Sequence, residues 1–221
     1  MSKNVAIDGP SGAGKSSIAR QAAQAIGFIY VDTGALYRSI AYFVKMSNSD
    51  PSDINAIAHL LEKAKIELKF IDGEQRVLLN GDDVSDAIRT PEISMMASRI
   101  SALPIVREFL FDLQRQIARD NDVIMDGRDI GTVVLPSADV KIFLTASAEI
   151  RAKRRHLELT HKGHDVPYQD VLDDIKQRDY DDENREIAPL KRAEDAILVD
   201  TTSINFDDSV KLIISTIENN L

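Results

Sequence analysis

Val5-Ala-Ile-Asp-Gly-Pro-Ser-Gly-Ala-Gly-Lys-Ser16 decides the fold. Val5–Ile7 is a short apolar run, Gly9–Ser16 is a complete G-x-x-x-x-G-K-[ST] loop, and the stretch Ile18–Ile26 is competent to form a helix. Strand, glycine loop and helix in that order give the loop its meaning. Gly9, Gly12 and Gly14 let consecutive backbone N–H groups converge on phosphate oxygens without side chains in the way. The helix opening near Lys15 adds the positive end of its dipole. Lys15 is suited to reach the β- and γ-phosphates, and the Ser16 hydroxyl to ligate Mg²⁺. Gly9, Pro10, Ser11, Gly12, Ala13, Gly14, Lys15 and Ser16, with Ser17 behind them, are therefore read as a binding site for a nucleoside triphosphate, ATP. A chance glycine-rich turn is the alternative, and eight residues in register at a strand-to-helix junction argue against it.

A chain of 221 residues suffices for one α/β domain with a sizeable core and an inserted subdomain. Hydrophobic residues at 43 % and charged residues at 29 % are ordinary for a soluble globular protein. The net charge of -9 argues against a general affinity for nucleic acid polymers or anionic membranes, so anionic ligands must be gripped by local arginine clusters. With no cysteine, disulfides, thiolate metal sites and cysteine nucleophiles are excluded. No apolar run approaches a membrane span, and Met1–Asn4 leads into a strand without a signal-peptide pattern; a cytoplasmic protein is expected. Aromatics at 5 % leave little for a nucleobase-stacking platform.

Outward from the loop, strands and helices alternate. Phe28–Asp32 reads as a second strand, and Thr33-Gly-Ala-Leu-Tyr-Arg38 opens a helix to about Met46. Ser52 or Asp53 is expected to cap a helix over 53–64. Residues 65–87 change character: Ile66–Phe70 alternates with period two, and Asp72-Gly73 and Asn80-Gly81 are turn signals around Arg76–Leu79. They predict a small antiparallel insert. Helices follow over 91–102 and 104–119, each opened by proline. Val123–Asp126 and Val140–Thr145 are apolar enough for buried parallel strands. Further elements are expected at 147–159, 168–185, 196–199 and 207–218, giving a parallel sheet with helices on both faces.

A phosphate loop alone does not choose among switches, motors and kinases. The arginines do more. Asp32-Thr-Gly34 and Asp126-Gly-Arg-Asp129 fall where parallel strands stop, the edge that forms the ligand crevice of such sheets. Arg38, Arg128, Arg178 and Arg185 gather around that edge, with Arg178 and Arg185 seven residues, or two turns, apart on one helix. Arginine pairs bidentately with phosphate, so a second, monophosphorylated substrate explains the convergence. The plainer alternative pairs Arg178 and Arg185 with Asp179, Asp181, Asp182 and Glu183 on a solvated helix face.

The combination of the loop with Asp32-Thr-Gly-Ala-Leu-Tyr-Arg38, Ile88-Arg-Thr-Pro91, Asp126-Gly-Arg-Asp-Ile-Gly-Thr132 and Arg178-Asp-Tyr-Asp-Asp-Glu-Asn-Arg185 resembles the bacterial cytidylate kinases over nearly the whole chain. The resemblance implies one domain, residues 1–221, with a three-layer α/β P-loop nucleoside monophosphate kinase fold. That fold carries a parallel sheet, a small antiparallel insert (about 65–87) in the monophosphate-binding region and a short lid (about 151–167). It implies phosphoryl transfer from ATP to CMP and dCMP by a monomer. Ser98, Arg107 and Asp129 then match the positions that meet the cytosine, and Arg178 and Asp182 those that hold the ribose. Arg38, Arg128 and Arg185 match those around the acceptor phosphate, beside Thr33. Lys15, Arg128, Arg178 and Arg185 would be the catalytic cations, and Arg155 would join the ATP site.

Cytosine offers an amine donor beside two acceptors, so a carboxylate paired with an arginine accepts it and rejects uracil. Arg151, Lys153, Arg154 and Arg155 suggest a basic closing flap, continued by the polar segment Thr160–Pro167. His156, His161, His164 and Asp165 lack the spacing of a structural zinc site. Mg²⁺ is expected on Ser16, with Asp126 or Asp32 holding its waters. The rival readings are a kinase of the same fold acting on uridylate, adenylate or shikimate, and a non-catalytic ATP-binding module.

Overall fold

The computed structural model describes residues 2–71 and 74–221. Its elements run β1 (Asn4–Asp8), α1 (Lys15–Ile26), β2 (Ile29–Asp32), α2 (Thr33–Met46), α3 (Ile54–Leu61), β3 (Ile66–Ile71), β4 (Glu74–Leu79) and β5 (Asp82–Asp83). There follow α4 (Pro91–Ile100), α5 (Pro104–Asp120), β6 (Val123–Gly127), β7 (Val140–Thr145), α6 (Ala148–His161), α7 (Tyr168–Asn184), β8 (Ile197–Asp200) and α8 (Phe206–Glu218). A single π-helical turn, Ile130–Val134, follows β6.

Five strands form a parallel sheet in the order β2-β6-β1-β7-β8. Its central strands are buried on both faces, and alternation along them divides the core. Val5, Ile7, Ile124, Ile142 and Leu144 pack beneath α1 and α8, against Ile18, Ala22, Ile213 and Ile217. Ala6, Val31, Val123 and Met125 face the other way, toward Ala118 of α5 and Ile130 and Val134 of the π-helical turn. This is the expected three-layer α/β arrangement.

The insert forms as expected: β3, β4 and β5 are antiparallel. Asn80 and Gly81 both take positive φ (53° and 94°), the demand of the two-residue hairpin turn that joins β4 to β5. The expected Asp72-Gly73 turn lies outside the described residues. Ile66, Val77, Leu79, Val84 and Ile88 join Leu36, Ile40, Ile57, Ile100, Val106 and Leu110 in one apolar cluster. The insert therefore shares a core with α2 to α5 instead of forming its own.

Boundaries shift where local chemistry intervenes. Asp53 is the cap of α3, accepting from Ala56 N at 3.0 Å, and α3 stops at Leu61. α4 ends at Ile100 because the chain must turn before Pro104, and a residue preceding proline avoids the helical region. α7 ends at Asn184, with Arg185 extended beyond it. Thus Arg178 and Arg185 do not share a helix face; Arg185 leaves the helix and is turned inward.

Candidate active site

The loop between β1 and α1 is fixed by backbone geometry. A Cβ on Gly9 would lie 2.0 Å from the carbonyl oxygen of Leu144 on β7, so no side chain fits there. Gly14 takes φ +89° as it caps α1, a conformation natural only to glycine. Lys15 then enters the helix buried, its Nζ donating to Pro10 O at 2.8 Å. Burial, with Arg128 beside it, pushes the Lys15 ammonium down to about 7. Ser16 is half-buried and Ser17 exposed on the first turn of α1.

Asp126 sits at the end of β6, level with Asp32 at the end of β2. Its Oδ2 accepts from Ser16 Oγ at 2.9 Å and its Oδ1 from Tyr30 Oη at 2.8 Å. Its backbone carbonyl accepts from Thr33 Oγ1 at 2.7 Å. Burial and then the charge of Asp32 raise the Asp126 carboxyl above its ordinary value. Asp32 itself is engaged as the cap of α2, accepting from Ala35 N at 2.9 Å and pairing with Arg38 at 2.8 Å.

Across the crevice the residues expected on the acceptor side meet. Arg107 from α5 pairs with Asp129 Oδ2, and Arg185 reaches the other oxygen of Asp129 at 3.4 Å. Arg107 also donates to Ser101 O at 3.4 Å, bringing the end of α4, which carries the half-buried Ser98, beside it. Arg128 pairs with Asp182 at 2.8 Å. The shared helix spacing of Arg178 and Asp182 suggested a mutual pair, yet Asp182 turns to Arg128. Arg178 Nε and Arg38 Nε are buried with no partner among the described residues. Burial, then Arg128, lowers Arg178 to about 10. The solvated-face alternative fails here: Asp179 pairs with Arg151, Asp182 with Arg128, and Arg185 with Asp129.

Arg155, expected in the ATP site, pairs with Glu158 on its own helix at 2.7 Å. Arg151 and Arg154, expected in a free basic flap, are fastened down instead. Arg151 donates to Ser11 O at 3.0 Å, and Arg154 to Thr201 O at 2.9 Å. Among the described residues no cluster of three or more His, Cys, Asp or Glu side chains is arranged to hold a metal. No helix of the described residues is long and apolar enough to cross a membrane.

Three contributors escaped the sequence reading. Asp8 accepts from Ile130 N (2.8 Å) and Gly131 N (2.7 Å), holding the segment after Asp129 against β1. Gln75 of the insert accepts from Asp32 N at 2.9 Å. Tyr30 orients Asp126. Asp8 had a signal, a carboxylate ending an otherwise apolar strand; Gln75 and Tyr30 had none.

A family model described as cytidylate kinase matches residues 5–219. A cytidylate kinase of Caldicellulosiruptor bescii is 51% identical over 211 residues, covering 96% of this chain and 93% of the relative. Another, of Lactobacillus gasseri, is 53% identical over 206 residues, covering 93% of this chain and 90% of the relative. A solved structure of an uncharacterized protein from Eubacterium ventriosum superposes with a TM-score of 0.53 at 13% identity, covering 98% of both chains; that likeness concerns the fold alone.

Burial raises the Asp8 carboxyl from 3.8 to about 6, against the pull of its two backbone donors. A raised carboxyl favours the folded state when protonated, so its contribution to stability is full below 3.8 and is lost as pH rises through about 6. Carboxyl-carbon NMR of the ligand-free protein is expected to show Asp8 titrating near pH 6; a midpoint near 4 would contradict the burial argument.

Proposed function

The chain belongs to the cytidylate kinase family and phosphorylates CMP with ATP, and from that premise we propose how its residues divide the work. The observation that carries the proposal is the crevice itself. A buried lysine and a phosphate loop face, across one sheet edge, a set of arginines already held by carboxylates.

ATP lies with its phosphates in the loop Gly9–Ser17, and Lys15 meets the charge developing on the β- and γ-phosphates. CMP occupies the other wall. The Arg107–Asp129 pair presents a donor beside an acceptor, the complement of cytosine, and Ser98 adds a hydroxyl. Arg178 and Asp182 hold the ribose. Arg38, Arg128 and Arg185, with Thr33, surround the acceptor phosphate, and the unpartnered Arg38 Nε and Arg178 Nε are donors awaiting a ligand. dCMP is a second acceptor in this reading. No general base is required, because the acceptor phosphate is already an anion at neutral pH; positioning and charge compensation carry the in-line transfer.

The residues present fit Mg²⁺. Ser16 Oγ and Asp126 Oδ2 are oxygen donors 2.9 Å apart at the mouth of the loop, as a hard divalent cation prefers. Asp32 is committed to Arg38 and its own helix, so Asp126 is the carboxylate that would help hold the metal. With ATP bound, Mg²⁺ held there would offset negative charge on the phosphates. The exposed part of α6 from Arg155 onward, with the connection to α7, forms the lid. The protein acts as a cytoplasmic monomer.

The test is ADP release with ATP and each nucleoside monophosphate in turn. CMP and dCMP are expected to support turnover well above UMP and AMP; equal rates with UMP would remove the cytosine assignment.

Asp129→Ala is expected to lower kcat/KM for CMP by the equivalent of about 2 kcal/mol or more, with the ATP parameters far less affected. Equal losses for both substrates would return Asp129 to a structural role.

Lys15 is largely neutral in the free protein above about pH 7 and is recharged when phosphates arrive beside it. ATP binding at pH 8 should therefore take up close to one proton, and binding at pH 6 almost none. Calorimetry in buffers of different ionisation enthalpy reads this directly, and no uptake at pH 8 would contradict the placement of Lys15.

A further inference from the structure

We propose that Arg151 and Asp179 form a latch that aims the phosphate loop and ties it to the helix carrying the acceptor-side residues. The inference rests on the assignment of that loop to ATP.

Arg151 lies in the first turn of α6, with its side chain 5% exposed. Its Nε donates to Ala146 O at 2.8 Å, at the end of β7. Its Nη1 donates to Ser11 O at 3.0 Å and to Asp179 Oδ1 at 2.9 Å, and its Nη2 to Asp179 Oδ2 at 2.5 Å. One guanidinium thus joins the sheet, the phosphate loop and α7. Gly12 lies within van der Waals reach of both helices: a Cβ there would lie 3.4 Å from Arg151 Cβ and 3.7 Å from Ile175 Cδ1 of α7.

The contact with Ser11 has a directional consequence. Ser11 C=O and Gly12 N–H belong to one planar trans peptide and point in opposite directions. Holding the carbonyl against Arg151 therefore turns the Gly12 N–H away from it, on the side where a phosphate is cradled. Arg154 repeats the device one turn later, donating to Ala13 O at 3.4 Å and so turning the Gly14 N–H. Neither arginine needs to touch ATP to govern its affinity.

Asp179 extends the connection. It follows Arg178, whose buried Nε has no partner among the described residues, and precedes by three residues Asp182, which holds Arg128. α6 and α7 pack against each other through Ala152, Val171, Leu172 and Ile175. A shift of α7 on binding CMP is thereby passed through Asp179 and Arg151 to the loop carbonyl. The pair is dry enough to matter, with Asp179 17% exposed; exposed pairs contribute little. Lysine cannot replace the planar fork that serves Ala146, Ser11 and both Asp179 oxygens together.

The test compares wild type, Asp179→Asn and Arg151→Lys. The dissociation constant of β,γ-imido-ATP with Mg²⁺ is measured with and without CMP. Wild type is expected to bind the analogue at least about five-fold more tightly with CMP present. Each variant is expected to weaken analogue binding roughly ten-fold and to bring the effect of CMP within about two-fold of none. In steady state, kcat should fall much less than kcat/KM for ATP.

A merely structural pair would lower the melting temperature of both variants and leave the dissociation constants alone, which overturns the proposal. So does a wild type in which CMP leaves analogue affinity unchanged. Weaker ATP binding with the CMP effect intact overturns the link through α7. A wild type that fails to bind the analogue at all refutes the ATP assignment beneath it.

Discussion

A carboxylate taken out of water must be met by hydrogen bonds or by positive charge, and at Asp126 both converge. Ser16 from α1 and Tyr30 from β2 donate to its oxygens, Thr33 from α2 to its backbone carbonyl, and Lys15 lies near enough to favour its charged form. Three elements, α1, β2 and α2, are thereby referred to one point at the end of β6. Gln75 extends the reference to the insert by gripping the backbone of Asp32. The loop and the opposite wall of the crevice are thus held in register through short hydrogen bonds, those of Tyr30 and Thr33 buried.

Burial is the leading cause of the shift at four groups of the site, whereas Asp182 is lowered by Arg128 against its burial. Burial raises Asp8 and Asp126 and lowers Lys15 and Arg178, each change disfavouring the charged form. A phosphate ligand reverses part of that balance, supplying the negative charge that Lys15 and Arg178 lack. Protonation state and occupancy are therefore linked.

The motifs fixed most of the architecture because they carry backbone demands. Gly9 and Gly14 report a close approach and a left-handed cap, and Asn80-Gly81 reports a hairpin turn. Such requirements read directly from residue type. Pairing does not. Arg178 and Asp182 have the spacing of a helical pair, but the partner of Asp182 is Arg128, 54 residues away in sequence. Arg151 had every sequence mark of a solvated basic helix, yet it is buried against Asp179 and Ser11. Which charge meets which is decided by the three-dimensional crossing of α6, α7 and the strand ends, and a linear pattern does not contain it.

A further consequence concerns how a chain of net charge -9 holds several arginines ready for an anion. Unpaired guanidinium groups gathered in a crevice would repel one another and resist burial. Here Arg107 and Arg185 share Asp129, Arg128 has Asp182, and Arg38 has Asp32. The carboxylates keep the arginines in place, and they leave donors over: among the described residues, Arg38 Nε and Arg178 Nε have no partner. On the proposed reading, an incoming phosphate would exchange partners instead of assembling a site from dispersed charges. Because each fork is already oriented, less conformational entropy is lost on binding, and less reorganisation is required when charge moves between substrates.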